Sequence, residues 1–340
     1  MSTDSGPNSH TLDPWFAGID VGGTSIKIGV ISAAGQIVEE TSIPTQDERG
    51  PEDAISRVRE TLTSLLQTNG GERFLAAGLG TPGPLDSRQG LILDPVNMPG
   101  WRHYPIREAL SQSLGCPVHY ANDANAAAWG EFWIGTAKTY DSLVLLTLGT
   151  GVGGGIVIDN QLVVGRNDMA AECGHSMVDF SEQARVCSCG IKGHLEAYAS
   201  ASAVAVEAKK MAAQCPRGEL AKILESAGDL NAEDVYHCAL REDPGAWQII
   251  DQTAGFLARG IADLAHTVDP DIFLLGGAMN FGGTNSPVGQ RFLDTIVKAV
   301  HRAVFDRIAD NLKIEFASLG GSAGWIGAAG LAKRLYDQQT

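Results

Sequence analysis

Asp20-Val-Gly-Gly-Thr-Ser-Ile-Lys27 and Leu148-Gly-Thr-Gly-Val-Gly-Gly-Gly155 are two glycine-rich segments, and runs of aliphatic and β-branched residues flank each of them. Glycine has no Cβ, so the backbone N–H groups of such segments stay accessible to a ligand. Consecutive backbone N–H groups in a turn form a concave site for anions such as phosphate. Two such turns in one chain predict that both bind one chain of phosphates, and they make phosphoryl transfer the leading functional hypothesis.

The composition is typical of a globular protein with a large core and an acidic surface. The chain has 340 residues, of which 44% are hydrophobic, and this length predicts about two domains. The net charge of −15 disfavours nucleic acid, anionic membranes and polyphosphate as partners. No apolar run reaches the roughly 20 residues that span a bilayer, and residues 1–13 lack a signal-peptide pattern. We therefore expect a cytoplasmic protein whose residues 1–13 form a disordered tail.

Strands and helices alternate along most of the chain, which indicates the α/β class. Each half opens with a strand, a glycine turn and a second strand, and this pattern indicates an internal duplication. Residues 167–195 are predicted to be irregular, and the acidic stretch 228–234 is predicted to be a solvated loop. The predicted strands are 15–20, 26–31, 36–43, 74–80, 117–120, 143–148, 155–159, 161–164, 272–275 and 315–318, and the predicted helices are 51–68, 106–113, 124–132, 196–213, 251–267 and 324–336.

Two common nucleotide-binding motifs do not fit the glycine-rich turns. Gly149-x-Gly151-x-x-Gly154 matches the dinucleotide fingerprint in its letters, but that fingerprint needs a helix directly after the turn. Here an apolar segment interrupted by Asp159-Asn160 follows, which predicts a β-hairpin. A Walker loop ends in Gly-Lys-Ser/Thr before a helix, and neither turn has that ending. The sequence therefore disfavours both a Rossmann enzyme and a P-loop enzyme.

Four cysteine and histidine residues lie close together in the irregular segment. His175, Cys187, Cys189 and His194 have the spacing His-x11-Cys-x-Cys-x4-His. Four nitrogen and sulfur ligands suit a closed, tetrahedral zinc site of the structural kind, and Cys173 is a rival for the fourth ligand. The six cysteines are too sparse for a disulfide framework. We therefore expect a structural zinc ion.

Two aspartates beside predicted strands are candidates for the chemistry. Asp123 begins the helix 124–132, where the helix dipole favours an ionised carboxylate, so it is a candidate base for a hydroxyl nucleophile. Asn122 and Asp123 also suit plain helix capping. Asp20 precedes the first turn, where it either stabilises that turn or helps to hold a cation such as Mg2+, which prefers oxygen ligands. The residues alone leave these alternatives open.

The two turns and the later segment Leu274-Leu-Gly-Gly-Ala-Met279 resemble the sugar kinase/actin-like ATPase superfamily, and within it the chain is similar to the ROK family, above all to its bacterial glucokinases. The resemblance covers residues 15–337. Further motifs in the family's order carry it: Gly80-Thr-Pro-Gly83, Asn97-Met-Pro-Gly-Trp101, Asn122-Asp123, Glu172-Cys-Gly-His175, Cys187-Ser-Cys-Gly190 and Leu195-Glu196. One such motif would be weak, but this many in register are specific.

The resemblance implies an α/β fold of the two-domain actin-like ATPase (ribonuclease H-like) type with a cleft between the domains. It implies a smaller N-terminal domain over 14–133 plus 323–340 and a larger C-terminal domain over 134–322 that carries the zinc loop. Members of the family are often dimers or tetramers, so the resemblance also implies a homo-oligomer.

The same resemblance implies an ATP-dependent hexose kinase of glycolysis, most of all a glucokinase, that uses Mg2+ and carries a structural zinc ion. The γ-phosphoryl group of ATP would pass to the C6 hydroxyl of the sugar. The roles implied for the matching residues are general base for Asp123; sugar binding for Gly83, Asn122, Asp123, Glu172, His175 and Glu196; binding of the nucleotide and its cation for Asp20, Gly22, Gly23, Thr24, Lys27, Thr150, Gly151, Gly276 and Gly277; and zinc binding for His175, Cys187, Cys189 and His194.

The chain departs from the family pattern at one zinc position. The family's Cys-x-Cys-Gly-x-x-Gly-Cys appears here as Cys187-Ser-Cys-Gly-Ile-Lys-Gly-His194, and sites with two cysteines and two histidines are common, so zinc binding is still expected.

Three other functions remain as alternatives to a glucokinase. The first is a kinase for N-acetylmannosamine, fructose or allose, because shared ring hydroxyls discriminate poorly between hexoses. The second is a sugar-responsive ROK repressor, for which the residues before the first strand are too few to form a helix-turn-helix module. The third is a non-catalytic actin-like assembly protein, which would leave the sugar-binding carboxylates and the Cys/His cluster unexplained.

Overall fold

The computed structural model describes residues 13–95 and 98–339. The predicted tail, apart from Asp13, lies outside the described residues, as does Asn97 of the Asn97–Trp101 motif. The chain divides into two compact units: the first comprises the segments up to Asp123 and from Ala328 onward, and the second comprises Ala124–Gly327. Residues 124–133 and 323–327 thus group with the second unit, whereas the family resemblance implied that they belong to the smaller domain.

A five-stranded mixed sheet forms the centre of the first unit. Its strands, together with a short two-stranded hairpin, are β1 (Trp15–Val21), β2 (Ser25–Ser32), β3 (Ile37–Pro44), β4 (Phe74–Thr81), β5 (Leu85–Asp86), β6 (Leu91–Ile92) and β7 (Val118–Asn122). The order is β3-β2-β1-β4-β7, in which β3, β2 and β1 are antiparallel and β1, β4 and β7 are parallel. The five strands of the sheet begin and end within one or two residues of the predicted ones, whereas β5 and β6 were not predicted.

Two helices, α1 (Pro51–Asn69) and α2 (Ile106–Leu114), contribute to the core of the first unit. The three-to-four spacing of Val58, Leu62 and Leu65 gives α1 one apolar face, and these side chains are buried. Gly70 ends α1 with φ of 86°, a left-handed conformation that glycine adopts without strain.

The second unit repeats this strand order. Its strands are β8 (Leu143–Leu148), β9 (Val152–Ile158), β10 (Gln161–Leu162), β11 (Ile272–Gly276) and β12 (Lys313–Phe316). The order is β10-β9-β8-β11-β12, again with three antiparallel strands followed by two parallel ones. The repeat supports the internal duplication that the sequence indicated.

Most differences between the predicted and the observed elements lie in the helices of the second unit. Helix 196–213 was predicted as continuous, but it breaks at Ser200, whose extended backbone and hydroxyl cap the next helix. The predicted loop 228–234 runs into a helix because Asn231 and Asp234 form a capping box. The helices that lie wholly or partly in this unit are α3 (Asp123–Trp133), α4 (Glu196–Ala199), α5 (Ala201–Gln214), α6 (Glu219–Ala227), α7 (Ala232–Leu240), α8 (Pro244–Val268), α9 (Pro287–His301), α10 (Asp306–Asn311) and α11 (Ala323–Gln339).

Strand β9 begins three residues before its predicted start at Gly155. Val152 pairs with Leu148, so most glycines of the second segment belong to a strand rather than to a turn. The missing side chains let α3 approach the sheet, since a Cβ on Gly155 would lie 2.5 Å from the Cβ of Ala128. Within residues 13–95 and 98–339, no helix combines the length and the hydropathy needed to cross a bilayer.

Candidate active site

The carboxyl ends of three parallel strands lie side by side at one edge of the first sheet. Asp20 of β1 is level with Gly80 of β4, and Thr81 of β4 is level with Asn122 of β7. The loop after β4 reaches the same place, because a Cβ on Gly83 would lie 3.7 Å from the side-chain nitrogen of Asn122. Open α/β sheets bind ligands at this edge. Three predicted site residues, Asp20, Gly83 and Asn122, are therefore brought together.

Asp20, Lys27 and Asp123 form one electrostatic group. Burial raises the pKa of Asp20 to about 6, and the negative charge of Asp123 adds to this effect. Lys27, which is directly opposite Asp20 in the β1–β2 ladder, acts in the other direction. Two carboxylates that repel each other are a suitable donor set for a hard divalent cation. Lys27 is half-buried, and its positive charge acts on Asp20.

The raised pKa of Asp20 makes its charged form unfavourable in the folded protein. Between pH 3.8 and pH 6 the folded chain binds the proton more tightly than the unfolded chain, so the contribution of Asp20 to stability falls as the pH rises through this window. Above pH 6 the full destabilisation applies, which is at most about 3 kcal/mol.

We therefore expect Asp20→Asn to raise the thermal unfolding midpoint at pH 7.5 in metal-free buffer and to have almost no effect at pH 4. Asp294→Asn is the matched control, because Asp294 is exposed on α9. Differential scanning calorimetry at the two pH values measures both variants. Equal midpoints for wild type and Asp20→Asn at pH 7.5 would contradict the prediction.

The first glycine turn (Gly22–Thr24) joins β1 to β2. The Gly22 N–H donates to the Ser25 carbonyl at 2.9 Å, and Gly23 and Thr24 are exposed. Thr45 makes two hydrogen bonds to this turn. Its Oγ1 donates to the Gly22 carbonyl at 2.5 Å, and its N–H donates to the Thr24 carbonyl at 3.0 Å. The residues predicted to bind phosphate thus lie on a turn that hydrogen bonds from Thr45 restrain.

The second glycine turn (Gly149–Gly151) joins β8 to β9. Its Gly149 N–H donates to the Gly151 carbonyl at 3.0 Å, and Thr150 is exposed. The end of β11 lies next to it, because a Cβ on Gly277 would lie 2.2 Å from the Leu148 carbonyl oxygen. The predicted nucleotide-binding residues Thr150, Gly151, Gly276 and Gly277 therefore share one edge of the second sheet.

Glu196 connects the second glycine turn with the cysteine loop (residues 176–195). Its Oε2 accepts the Val152 N–H at 3.1 Å, and its Oε1 accepts the Ser188 hydroxyl at 2.5 Å and lies 3.4 Å from the Cys187 sulfur. Burial acts to raise the pKa of Glu196, but these hydrogen bonds together hold it below its usual value. Glu196, at the start of α4, is therefore an ionised carboxylate that contacts both β9 after the second glycine turn and the cysteine loop.

The four predicted metal ligands form one cluster, in which their ligand atoms all lie within 4.8 Å of one another. Nδ1 of His175 is 3.2 Å from Nδ1 of His194 and 3.7 Å from Sγ of Cys187, and Sγ of Cys189 is 3.2 Å from Nδ1 of His194. Tetrahedral zinc with bonds of ~2.0–2.3 Å places ligand atoms roughly 3.3–3.8 Å apart. The donor set and its spacing fit zinc.

The surroundings of the cluster support metal binding by neutral imidazoles. Burial and the adjacent His175 hold the pKa of His194 below its usual value, which favours the neutral form that binds metals. His175 directs Nδ1 toward the cluster and keeps Nε2 4.0 Å from Oε2 of Glu172. The predicted sugar-binding residues Glu172 and His175 thus lie beside the cluster.

Cys173, the rival ligand, lies apart from the cluster in the described part of the chain. It is buried against β9, where a Cβ on Gly154 would lie 2.6 Å from its sulfur. Burial raises the pKa of its thiol to about 12. Its surroundings suit a core residue better than a thiolate ligand.

Four further polar residues at these edges had no signal in the sequence analysis. Thr45 and Ser202 donate hydroxyl hydrogen bonds to the two glycine turns, and Ser188 donates to Glu196. Glu131 is fully buried and accepts the Thr136 N–H at 2.9 Å, the Leu319 N–H at 2.7 Å and the Ser318 hydroxyl at 3.2 Å. For Glu131, the available signal in the sequence is a charged residue within the mostly apolar second half of α3.

A profile of the ROK family matches residues 16–335. The chain belongs to the ROK family. Its relatives include a glucokinase from Halalkalibacterium halodurans, which is 35% identical over 324 residues that cover 95% of this chain and 96% of that protein. An N-acetylmannosamine kinase from Escherichia fergusonii is 32% identical over 316 residues, which cover 93% of this chain and 97% of that protein.

Solved structures of ROK proteins share the fold. A ROK family glucokinase from Streptomyces griseus, in complex with glucose and AMPPNP, has a TM-score of 0.75 and 32% identity, and the match covers 94% of this chain and 99% of that one. The repeated sheets described above are the α/β architecture of the actin-like ATPase fold in ROK sugar kinases. The fold class predicted from the sequence is therefore confirmed.

Proposed function

We propose that this ROK chain is an ATP-dependent hexose kinase with glucose as its leading substrate. The observation that carries the proposal is the carboxylate Asp123, which directly follows β7 at the start of α3, lies next to Asn122 and is close enough to Asp20 to raise the pKa of Asp20. The similarity to a glucokinase solved with glucose and AMPPNP supports the choice of both substrates.

Asp123 acts as the general base. A sugar hydroxyl is a poor nucleophile, and Asp123 accepts its proton as the oxygen attacks the γ-phosphorus of ATP. One oxygen–phosphorus bond forms to the C6 oxygen, the bond to the β-phosphate oxygen breaks, and ADP leaves. Asp20 would hold Mg2+, which neutralises charge on the phosphates when it is bound. The backbone N–H groups and small residues of both glycine turns bind the nucleotide, with Lys27 as a nearby positive charge and Gly276–Gly277 at the adenosine.

Sugar recognition uses the carboxylates and the imidazole that surround the metal cluster. His175, Cys187, Cys189 and His194 would hold a structural zinc ion that fixes the tautomer of His175, so that Nε2 faces a sugar hydroxyl. Glu172 and Glu196 accept hydrogen bonds from ring hydroxyls, and a sugar that lacks one of them leaves a carboxylate without its donor. Asn122 binds a further hydroxyl, and Gly83 lets the backbone come close to the ring.

The test is ADP release coupled to NADH oxidation, measured with ATP and limiting glucose, N-acetylmannosamine, fructose or allose. We expect the highest kcat/KM for glucose, and 31P NMR of the product identifies the phosphorylated hydroxyl. A preference for N-acetylmannosamine would favour the second candidate, which the 32% identical relative supports. No ADP release with any of these sugars would contradict the kinase assignment.

The proposal includes a homo-oligomer, a dimer or a tetramer, as the family resemblance implies. Light scattering coupled to size-exclusion chromatography measures the mass directly against the 35.8 kDa of one chain.

A further inference from the structure

We propose that Thr45 and Ser202 are positioning residues, which hold the two glycine turns in the conformation that binds the phosphates of ATP. This inference rests on the proposed function, in which the turns bind the nucleotide. Neither residue touches a reacting atom in that proposal, because each acts through the backbone of its turn.

Thr45 restrains the first glycine turn through two backbone carbonyls. The residue is fully buried, its Oγ1 donates to the Gly22 carbonyl at 2.5 Å, and its N–H donates to the Thr24 carbonyl at 3.0 Å. In a trans peptide the C=O and the next N–H point in opposite directions. The N–H groups of Gly23 and Ser25 are therefore directed away from Thr45.

Arg57 of α1 fixes Thr45 in turn. Its guanidinium donates to the Pro44 carbonyl at 2.5 Å and to the Thr45 carbonyl at 2.6 Å, and its Nε donates to Asp53 at 2.7 Å. The hydroxyl that holds the turn is thus attached to a helix with a buried apolar face. A flexible surface threonine could not impose a direction on a glycine peptide in this way.

The second glycine turn is held by the same combination of donors. The Ala201 N–H donates to the Gly149 carbonyl at 2.8 Å, and the Ser202 hydroxyl donates to the Thr150 carbonyl at 2.8 Å. By the same peptide geometry, the N–H groups of Thr150 and Gly151 are directed away from α5. One N–H and one hydroxyl hold two carbonyls in each half of a duplicated fold.

This repeat indicates a role in binding rather than in folding alone. Glycine turns lose more conformational entropy on ordering than other segments, and a ligand that must order a turn binds more weakly than one that meets it already ordered. Hydrogen bonds to the carbonyl oxygens of the two turns also keep the partial negative charges of these oxygens away from the phosphates. Loss of either hydroxyl should therefore weaken nucleotide binding more than sugar binding.

The first test is Thr45→Val, which replaces the hydroxyl by a methyl group of similar size. We expect the KM for ATP and the dissociation constant of AMPPNP, measured by calorimetry without sugar, to rise about tenfold, while the KM for glucose changes less than twofold. Thr45→Ser restores the hydroxyl and should restore both nucleotide values. Thr63→Val is the matched control, because the Thr63 hydroxyl bonds only to the Arg59 carbonyl of its own exposed helix face.

The second test is Ser202→Ala, which removes an exposed hydroxyl and does not disturb the core. We expect a rise of about threefold in the AMPPNP dissociation constant, against no change for Ser226→Ala, whose hydroxyl bonds to the Ile223 carbonyl. Unchanged AMPPNP affinity in both Thr45→Val and Ser202→Ala overturns the inference and leaves the kinase assignment intact. An equal loss of glucose and AMPPNP affinity also overturns it, whereas wild-type protein that binds no AMPPNP contradicts the proposed function itself.

Discussion

Asp123→Asn is expected to lower kcat by about a hundredfold to ten-thousandfold while the protein still folds and binds glucose. General base catalysis contributes roughly 10²–10⁴ to the rate, and an amide cannot accept the proton of the sugar hydroxyl. Asparagine and aspartate are about equally good helix caps. The substitution therefore separates the two roles that the sequence left open for Asp123, because a residue that only caps α3 would leave turnover nearly unchanged.

The measurement compares kcat by coupled ADP release with glucose affinity by calorimetry. Asp306→Asn is the matched control, since Asp306 is an exposed aspartate in the first turn of another helix. Loss of the negative charge at position 123 also removes one cause of the raised Asp20 pKa, so the pH dependence of stability should shift toward lower pH in the variant. Turnover within tenfold of wild type would exclude Asp123 as the base.

Local patterns in the sequence were sufficient to predict most strands and the first two helices. Period-two strands such as β2 and the apolar face of α1 are properties of adjacent residues, so they need no tertiary information. The break at Ser200 was not visible, because the residues on both sides favour a helix and only the hydroxyl cap on α5 decides it. The early start of β9 depends on α3 packing against glycines, which is a long-range contact.

The candidate site likewise contains some residues that the sequence could predict and others that it could not. The Cys/His spacing predicted a cluster that the structure assembles. Asp20 and Asp123 were separate candidates in the sequence, and only the structure shows that the charge of Asp123 acts on Asp20. Thr45, Ser188 and Ser202 could not be predicted, because their partners are backbone carbonyls or a carboxylate from distant segments. A hydroxyl residue in a loop has many possible partners, and only the fold selects one. The catalytic and ligand roles of the predicted residues stay predictions until the variants are measured.

Cys187→Ser is expected to remove zinc from the purified protein and to raise the KM for glucose at least about a hundredfold. Metal-site energies are large, and loss of one thiolate from four ligands typically abolishes binding at a structural site. Cys187 contacts both His175 and Glu196, so two proposed sugar-binding side chains lose their support together. Inductively coupled plasma mass spectrometry should give one zinc per wild-type chain and none for the variant, with Cys215→Ser, an exposed cysteine outside the cluster, as the control.

The fourth ligand can be decided within the same series. His194→Ala should lose zinc, and His194→Cys, which restores the family's pattern, should retain it because thiolate and imidazole both suit tetrahedral zinc. Cys173→Ser should retain zinc as well, since Cys173 lies apart from the cluster. Zinc lost from Cys173→Ser but kept in His194→Ala would reverse the assignment.

Glu196 also accepts the Val152 N–H beside the second glycine turn, so zinc-free protein should bind AMPPNP several-fold more weakly. That loss should stay well below the loss in glucose affinity, because Cys187 contacts two proposed sugar-binding side chains, whereas Glu196 contacts the second glycine turn through the Val152 N–H.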